Sequence, residues 1–384
     1  MAIPYGKHNI NSKDIKAVVK ALKSNFITQG KLIGDFENEV KKYLKVKYAV
    51  AVSSCSAGLH LAAKVLNLKK GKTLLTSPIT FCSTANSAIH CGAKVDFVDV
   101  DKSTGNISIE KLKKKLQSKK IHSICPVHFG GLTCDMSEIK KLSKKYSFYI
   151  FEDAAHAFGS HYKDGSKVGS CKYSDMTVFS FHPVKSITTG EGGMITTNNK
   201  KIYEKLKILR SHGIEKNPKK FRNKKVINQP WYYEVQDLSN HYRITDIQCA
   251  LGISQLTRIR KFMSKRKKIA EKYDSSFKNN KNFFPLQYNQ RKNSSNHLYV
   301  LVINFKKIGK TRTEVMRALK KRGIISQVHY IPLIMQTYYN FKYKKGEFKN
   351  TINLYESILS IPIFFDLNSK NQNKIINNIK NILS

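Results

Sequence analysis

The chain of 384 residues is short of acid: 26 Asp and Glu stand against 69 Lys and Arg, a formal net charge of +43. A surplus of that size suits nucleic acid, an anionic membrane surface or a small anionic substrate. The lysines are scattered through residues 111–120, 216–225, 261–268 and 342–349, and no nucleic-acid-binding motif accompanies them. Abundant Lys, Asn and Ile also fit a bias shared by a whole proteome. No nucleic acid partner is expected, and the positive field suits steering of an anionic small substrate. The seven cysteines are odd in number and contain no Cys-x-x-Cys pair. Neither a disulfide framework nor a zinc site follows, and no metal is expected. The longest uncharged run, residues 73–93, contains Ser, Thr, Asn, His and Pro, so no membrane span is expected. Met1-Ala-Ile-Pro-Tyr5 lacks the layout of a signal peptide, which points to a reduced, cytoplasmic protein. No internal repeat is visible.

The length suits two domains and a full core, and 41% hydrophobic residues is ordinary for a globular chain. Amphipathic segments at 12–24 and 32–44 precede a run of alternating elements. Strands are expected at 48–52, 73–77, 94–98, 121–127, 147–152, 176–181 and 194–197. Helical patterns separate most of them, which predicts an α/β fold with a mostly parallel sheet. Residues 214–238 read as a long irregular loop. A long helix over about 244–275 then joins a larger domain, residues 1–250, to a smaller α/β domain, residues 251–384. Within the smaller domain, 278–296 read as a linker, 298–304 and 325–330 as strands, and 311–321, 351–357 and 370–383 as helices.

Ligands of such sheets bind beyond the carboxyl ends of the strands. Ser53-Ser-Cys-Ser-Ala-Gly58 lies between a strand and a helix, where free N–H groups and hydroxyls can cradle an anion. A plain helix cap by Ser54 or Ser56 explains the same residues. Asp153 ends an apolar strand, and a carboxylate there needs a partner or caps a helix. Phe81, just past a strand, reads as core or as a site aromatic. Lys185 follows Pro183 in the loop of Val178–Gly193, a place suited to a desolvated, reactive amine. A surface lysine is the plainer reading. The shared strand-end address of Ser54, Phe81, Asp153 and Lys185 is what argues that they converge.

The set resembles fold-type I pyridoxal phosphate enzymes, and more closely the DegT/StrS family of nucleotide-sugar aminotransferases. The motifs are Ile27-Thr-Gln-Gly30 with Phe36-Glu37, Glu152-Asp-Ala-Ala-His156, Phe179-Ser-Phe-His-Pro-Val-Lys185, Thr189-Gly-Glu-Gly-Gly193, Arg210-Ser-His-Gly213 and Tyr242-Arg-Ile-Thr-Asp-Ile-Gln248. Ser294-Ser-Asn-His-Leu-Tyr299 and Gln327-Val-His-Tyr330 are most similar to the pseudaminic-acid branch. The resemblance implies a large cofactor-binding domain with a smaller C-terminal one. It implies that Lys185 bonds pyridoxal 5′-phosphate and then shuttles a proton, the cofactor cycling with pyridoxamine phosphate. Asp153 is implied at the pyridine nitrogen, Phe81 on the ring, and His156 against the ring or its hydroxyl. Ser56, the Cys55 backbone and Ser180 are implied at the phosphate. Thr28, His182, His329 and Tyr330 are candidates for the sugar nucleotide.

Two departures stand out. Relatives often place Asn two residues before the Arg of the Tyr-Arg motif, reaching the phosphate of a neighbouring subunit. Here position 241 is His, with Asn240 before it, so either residue is the candidate. Relatives also often carry Asn or Gly with Thr where this chain has Ser53-Ser-Cys-Ser56, and hydroxyl donors survive the change. The expected reaction moves an amino group, with glutamate as donor, to the C4 ketone of a UDP-linked 4-keto-6-deoxy-N-acetylhexosamine. The product is UDP-4-amino-4,6-dideoxy-N-acetyl-altrosamine of pseudaminic acid biosynthesis, made by a homodimer with shared active sites. The alternatives are another nucleotide-linked keto sugar of the bacillosamine or perosamine type, and a non-catalytic polyanion-binding protein. A dehydratase on the same scaffold usually replaces the lysine by His, so Lys185 argues against it.

Overall fold

The computed structural model describes residues 2–339 and 341–384. Short apolar runs rich in Val, Ile and Phe form a seven-stranded sheet. Its strands are β1 (Tyr48–Val52), β2 (Thr73–Thr76), β3 (Lys94–Phe97), β4 (Ser123–Cys125), β5 (Tyr149–Asp153), β6 (Met176–Ser180) and β7 (Gly193–Thr197). Their order is β1-β7-β6-β5-β4-β2-β3. β6, β5, β4, β2 and β3 run parallel, and β7 is antiparallel to both β6 and β1. Every residue of β6 and β7 is buried, as expected for strands covered by helices on both faces. The α/β fold with a mostly parallel mixed sheet is therefore as expected.

Helix Cys55–Val65 covers one face so closely that a Cβ on Gly58 would lie 2.7 Å from Val178 Cγ1. Helix Lys31–Leu44 packs on the other, burying Ile33, Phe36, Val40 and Leu44 at a spacing of three or four residues. The C-terminal part builds its own antiparallel sheet from Phe283–Pro285, Tyr299–Ile303 and Ile358–Ile361. Tyr273, Tyr299, Leu319, Ile375 and Ile379 form part of the core around it.

Three expectations are corrected here. The helix about 244–275 is two helices, Asp246–Leu256 and Ile259–Phe277. Arg258 leaves the helical track between them because its guanidinium turns to buried Asp14 and to Asn9. The linker 278–296 contains a strand, since Phe283 packs into the core despite its polar neighbours. Residues 325–330 are not a strand: only Gln327 bridges Ser360, and Ile358–Ile361 takes the ladder position instead. Near the start of the chain, Ile3 bridges Ile324 and joins the core of the C-terminal part. The loop 214–238 holds one small hairpin, pairing Ile214–Glu215 with Glu234–Val235.

Residues of three sequence motifs hold the frame. Glu37 accepts from Ala51 N at 2.9 Å and from Arg210 Nη1 at 2.6 Å, while Arg210 also donates to Ala51 O, at 3.0 Å. This triangle pins β1 between two helices. Buried Asp246 accepts from Gly30 N at 2.8 Å and Leu32 N at 2.9 Å, so it closes the turn Ile27-Thr-Gln-Gly30 onto the next helix. Asp246→Ala should leave both amides unpaired and lower stability by about 1–3 kcal/mol. Urea unfolding checks this, and an unchanged midpoint would contradict the capping role.

Candidate active site

The ends of β1, β5 and β6 and the β6–β7 loop meet around a cavity of about 400 Å³. The sequence candidates Cys55, Ser56, Phe81, Asp153, His156, Ser180, His182, Lys185, His329 and Tyr330 all line it. They arrive from distant parts of the chain: those of the large sheet follow a strand end or the helix after it, while His329 and Tyr330 come from the irregular segment before Ile358–Ile361. Gly193 opens β7 against this corner: a Cβ there would lie 2.7–2.8 Å from the Ser54 carbonyl and Cys55 N.

Asp153 is buried at the end of β5. Its Oδ2 accepts from Thr84 Oγ1 at 2.6 Å and its Oδ1 from Ala155 N at 3.1 Å. No helix follows Asp153, so the capping alternative fails and the residue makes a local turn instead. Thr84 Oγ1 in turn pairs with Thr80 Oγ1 at 2.7 Å. Lys185 is half-buried in the β6–β7 loop. Burial pushes its ammonium down to about 8, against the opposing pull of Cys55 and Asp153. Burial also holds the neighbouring imidazoles neutral: His156 is well below its ordinary value, and His329 falls to about 4. The positive charge of Lys185 adds to both effects. His156 Nδ1 accepts from Gly130 N at 3.3 Å, so its Nε2–H faces Tyr330 Oη at 3.0 Å.

At the other side of the cavity, Ser54 caps the helix Cys55–Val65 by accepting from Ala57 N at 3.1 Å. The cap explanation thus holds for Ser54, while Ser56 Oγ pairs with Ser83 Oγ at 2.6 Å. The first amides of that helix have no partner within it, as at any helix start. Phe81 is not core: it is 58% exposed and presents a ring to the cavity.

Three candidates lie outside. Thr28 is exposed and bridges Thr245. Asn240 and His241 are exposed on the segment before the helix Asp246–Leu256, where Asn240 Nδ2 donates to Tyr242 Oη at 3.1 Å. Sequence reasoning missed Tyr5, Ser83 and Glu191, which also line the cavity, and Thr84, which holds Asp153. Tyr5 enters from the N-terminal segment, whose docking no local pattern reveals. Thr84 carried a weak signal, a hydroxyl one turn after Thr80 at a strand end.

The chain resembles proteins of one kind from end to end. It is 39% identical over 383 residues to the Campylobacter jejuni UDP-4-amino-4,6-dideoxy-N-acetyl-beta-L-altrosamine transaminase, covering 99% of this chain and 97% of that protein. The solved Helicobacter pylori PseC, described as an aminotransferase involved in the biosynthesis of pseudoaminic acid, superposes with a TM-score of 0.90. It is 31% identical, with 100% of this chain and 99% of that one covered. The PLP form of Spr1654 from Streptococcus pneumoniae superposes with a TM-score of 0.88 at 28% identity, covering 100% and 98%. Fold and likeness together define the class, a pyridoxal-phosphate-dependent aminotransferase. The chain belongs to the DegT/DnrJ/EryC1/StrS aminotransferase family, whose pattern matches residues 8–380.

The residues present fit that cofactor. One cavity offers a carboxylate for a ring nitrogen, an amine for a carbonyl carbon, and hydroxyl and helix-start amide donors for a phosphate.

The depressed Lys185 value makes a signed prediction. Below pH 8 the folded protein bears the cost of a buried ammonium. That cost is relieved as pH rises from about 8 toward 10.5, the ordinary lysine value. In the cofactor-free protein, wild type should therefore gain up to about 3 kcal/mol relative to Lys185→Met over that range. Paired denaturation curves across pH check this, and a constant difference would contradict a desolvated lysine.

Proposed function

We propose that the protein transfers an amino group from glutamate to the C4 ketone of UDP-2-acetamido-2,6-dideoxy-hexos-4-ulose. The product is UDP-4-amino-4,6-dideoxy-N-acetyl-altrosamine, and the setting is cytoplasmic pseudaminic acid biosynthesis. The observation that carries this reading is the end-to-end likeness to the Campylobacter jejuni transaminase, 39% identical over 99% of this chain. The basic surface supports it, since a chain of net charge +43 would steer a diphosphate-linked sugar inward.

Bound pyridoxal phosphate supplies a protonated ring that accepts the electron pair left when a C–H bond beside nitrogen breaks. The chain's residues then divide the labour. Asp153 pairs with the ring nitrogen and keeps its proton in place, and Thr84 fixes the carboxylate's direction. With the cofactor bound, Lys185 would be the amine that bonds it. Once freed by the donor, its Nζ would be the group that carries the proton at the donor's Cα. An amine depressed to about 8 suits both tasks near neutral pH. Cys55 N–H, Ser56 and Ser180 hold the phosphate. Phe81 and His156 confine the ring, and neutral His156 adds no charge against the pyridinium. After the keto acid leaves, the same groups run the steps in reverse on the sugar ketone.

His182, His329 and Tyr330 are assigned to the sugar nucleotide, and Thr28, which lies outside the cavity within one chain, is assigned to it as well. A second copy is assigned the closure of the site, Asn240 or His241 reaching the neighbour's phosphate. Exposed Leu22, Phe26 and Ile27 support such a homodimer, because apolar side chains so grouped favour a covered face. The division into domains 1–250 and 251–384 belongs to the same proposal.

Purified protein with the cofactor, glutamate and the UDP-linked keto sugar should yield the 4-amino product, read by NMR. Lys185→Ala should lower turnover by at least about 10²–10⁴-fold, and Asp153→Asn should slow proton abstraction with the fold intact. Undiminished turnover by Lys185→Ala would sink the catalytic assignment. Preference for a keto sugar of the bacillosamine or perosamine type would move the substrate assignment alone.

A further inference from the structure

Helix Ile259–Phe277 carries Arg266, which is 3% exposed and pairs with no carboxylate among the described residues. Its guanidinium meets only backbone carbonyls. Nη1 donates to Ile363 O at 3.1 Å and to Asn296 O and His297 O at 3.4 Å, and Nη2 donates to Val184 O at 3.4 Å. A buried cation without a counterion is costly, and carbonyl dipoles offset that cost only in part. A methionine or leucine would fill the same space without it. The four carbonyls also have meaningful addresses. Val184 immediately precedes Lys185, Asn296 and His297 lead into the strand Tyr299–Ile303, and Ile363 follows the strand Ile358–Ile361.

We propose that Arg266 is a positioning residue, one that clamps the Lys185 loop to the C-terminal sheet and holds a fixed positive charge beside that lysine. The inference rests on the reading of Lys185 as the cofactor-bonding residue.

Burial lowers Arg266 only to about 10, so it stays charged at neutral pH. The groups facing Lys185 are mixed. Asp153 and Cys55 favour its ammonium, while Arg266 disfavours it. His156, His297 and His329 are held neutral by burial and by Lys185 itself. Half-exposed His182 is lowered by burial too. Arg266 is thus a fixed positive charge that opposes Asp153 at the amine, and from the C-terminal part of the chain it reaches Val184, the residue before the lysine.

The test uses cofactor-free protein. The rate of pyridoxal phosphate uptake, followed by absorbance across pH, reports the free-amine form of Lys185. Arg266→Met should move the midpoint of that profile up, since a like charge nearby is lost. Arg266→Lys, which keeps the charge, should keep the wild-type midpoint. Its shorter reach should still loosen the clamp, so hydrogen exchange at the amides of residues 184–188 should rise about tenfold while β6 and β7 stay protected. A folded Arg266→Met with an unmoved midpoint would overturn the electrostatic role. Should that variant not fold, Arg266→Lys decides: unchanged exchange in the loop overturns the clamp. Exchange needs no cofactor, so its failure counts against Arg266 alone, whereas unchanged cofactor uptake by Lys185→Ala counts against the reading of Lys185.

Discussion

The structure depends on keeping one amine and one carboxylate together at strand ends with little water around them. Lys185 and Asp153 line the same cavity, and neither is cheap to desolvate. Burial outweighs the attraction of the carboxylate, and the lysine falls to about 8. That balance requires the β5 and β6 ends to lie side by side, which parallel pairing provides. It also requires a loop that returns at once, which antiparallel β7 provides. The sheet topology and the chemistry are therefore one constraint seen at two scales.

Around this pair the chain places rigid polar anchors. Glu152, adjacent to Asp153 but pointing to the other side of β5, is fully buried. It accepts from His128, Tyr162, Ser174 and Thr177. A carboxylate so fully satisfied fixes the end of β5 and hence the direction of Asp153. Glu37 with Arg210, and Asp246 with the turn at Gly30, do the same for β1 and the N-terminal helices. The motif carboxylates thus split into two that line the cavity, Asp153 and Glu191, and three that hold the frame.

Much of this was legible in the sequence because period and punctuation agree in the first 200 residues. Alternating apolar runs marked each large-sheet strand, and the strand-end residues Ser54, Phe81, Asp153 and Lys185 gave the cavity its address. What stayed hidden was set by tertiary contact. Arg258 breaks a helical pattern only because Asp14 lies within reach. Phe283–Pro285 becomes a strand because Tyr299–Ile303 offers a ladder, and 325–330 makes a single bridge, from Gln327 to Ser360, in place of a strand. Tyr5 and Thr84 reached the site through packing that no local window contains. Thr28, Asn240 and His241 came from resemblance alone, and within one chain they lie away from the cavity.

The central claim is that Lys185, among the many lysines of this basic chain, is the one that bonds the cofactor. Borohydride reduction of the loaded protein followed by peptide mass mapping tests it most directly. The account predicts the cofactor's added mass on the peptide containing Lys185 and no comparable label elsewhere. Stoichiometric label on another lysine, with the Lys185 peptide unmodified, would contradict it.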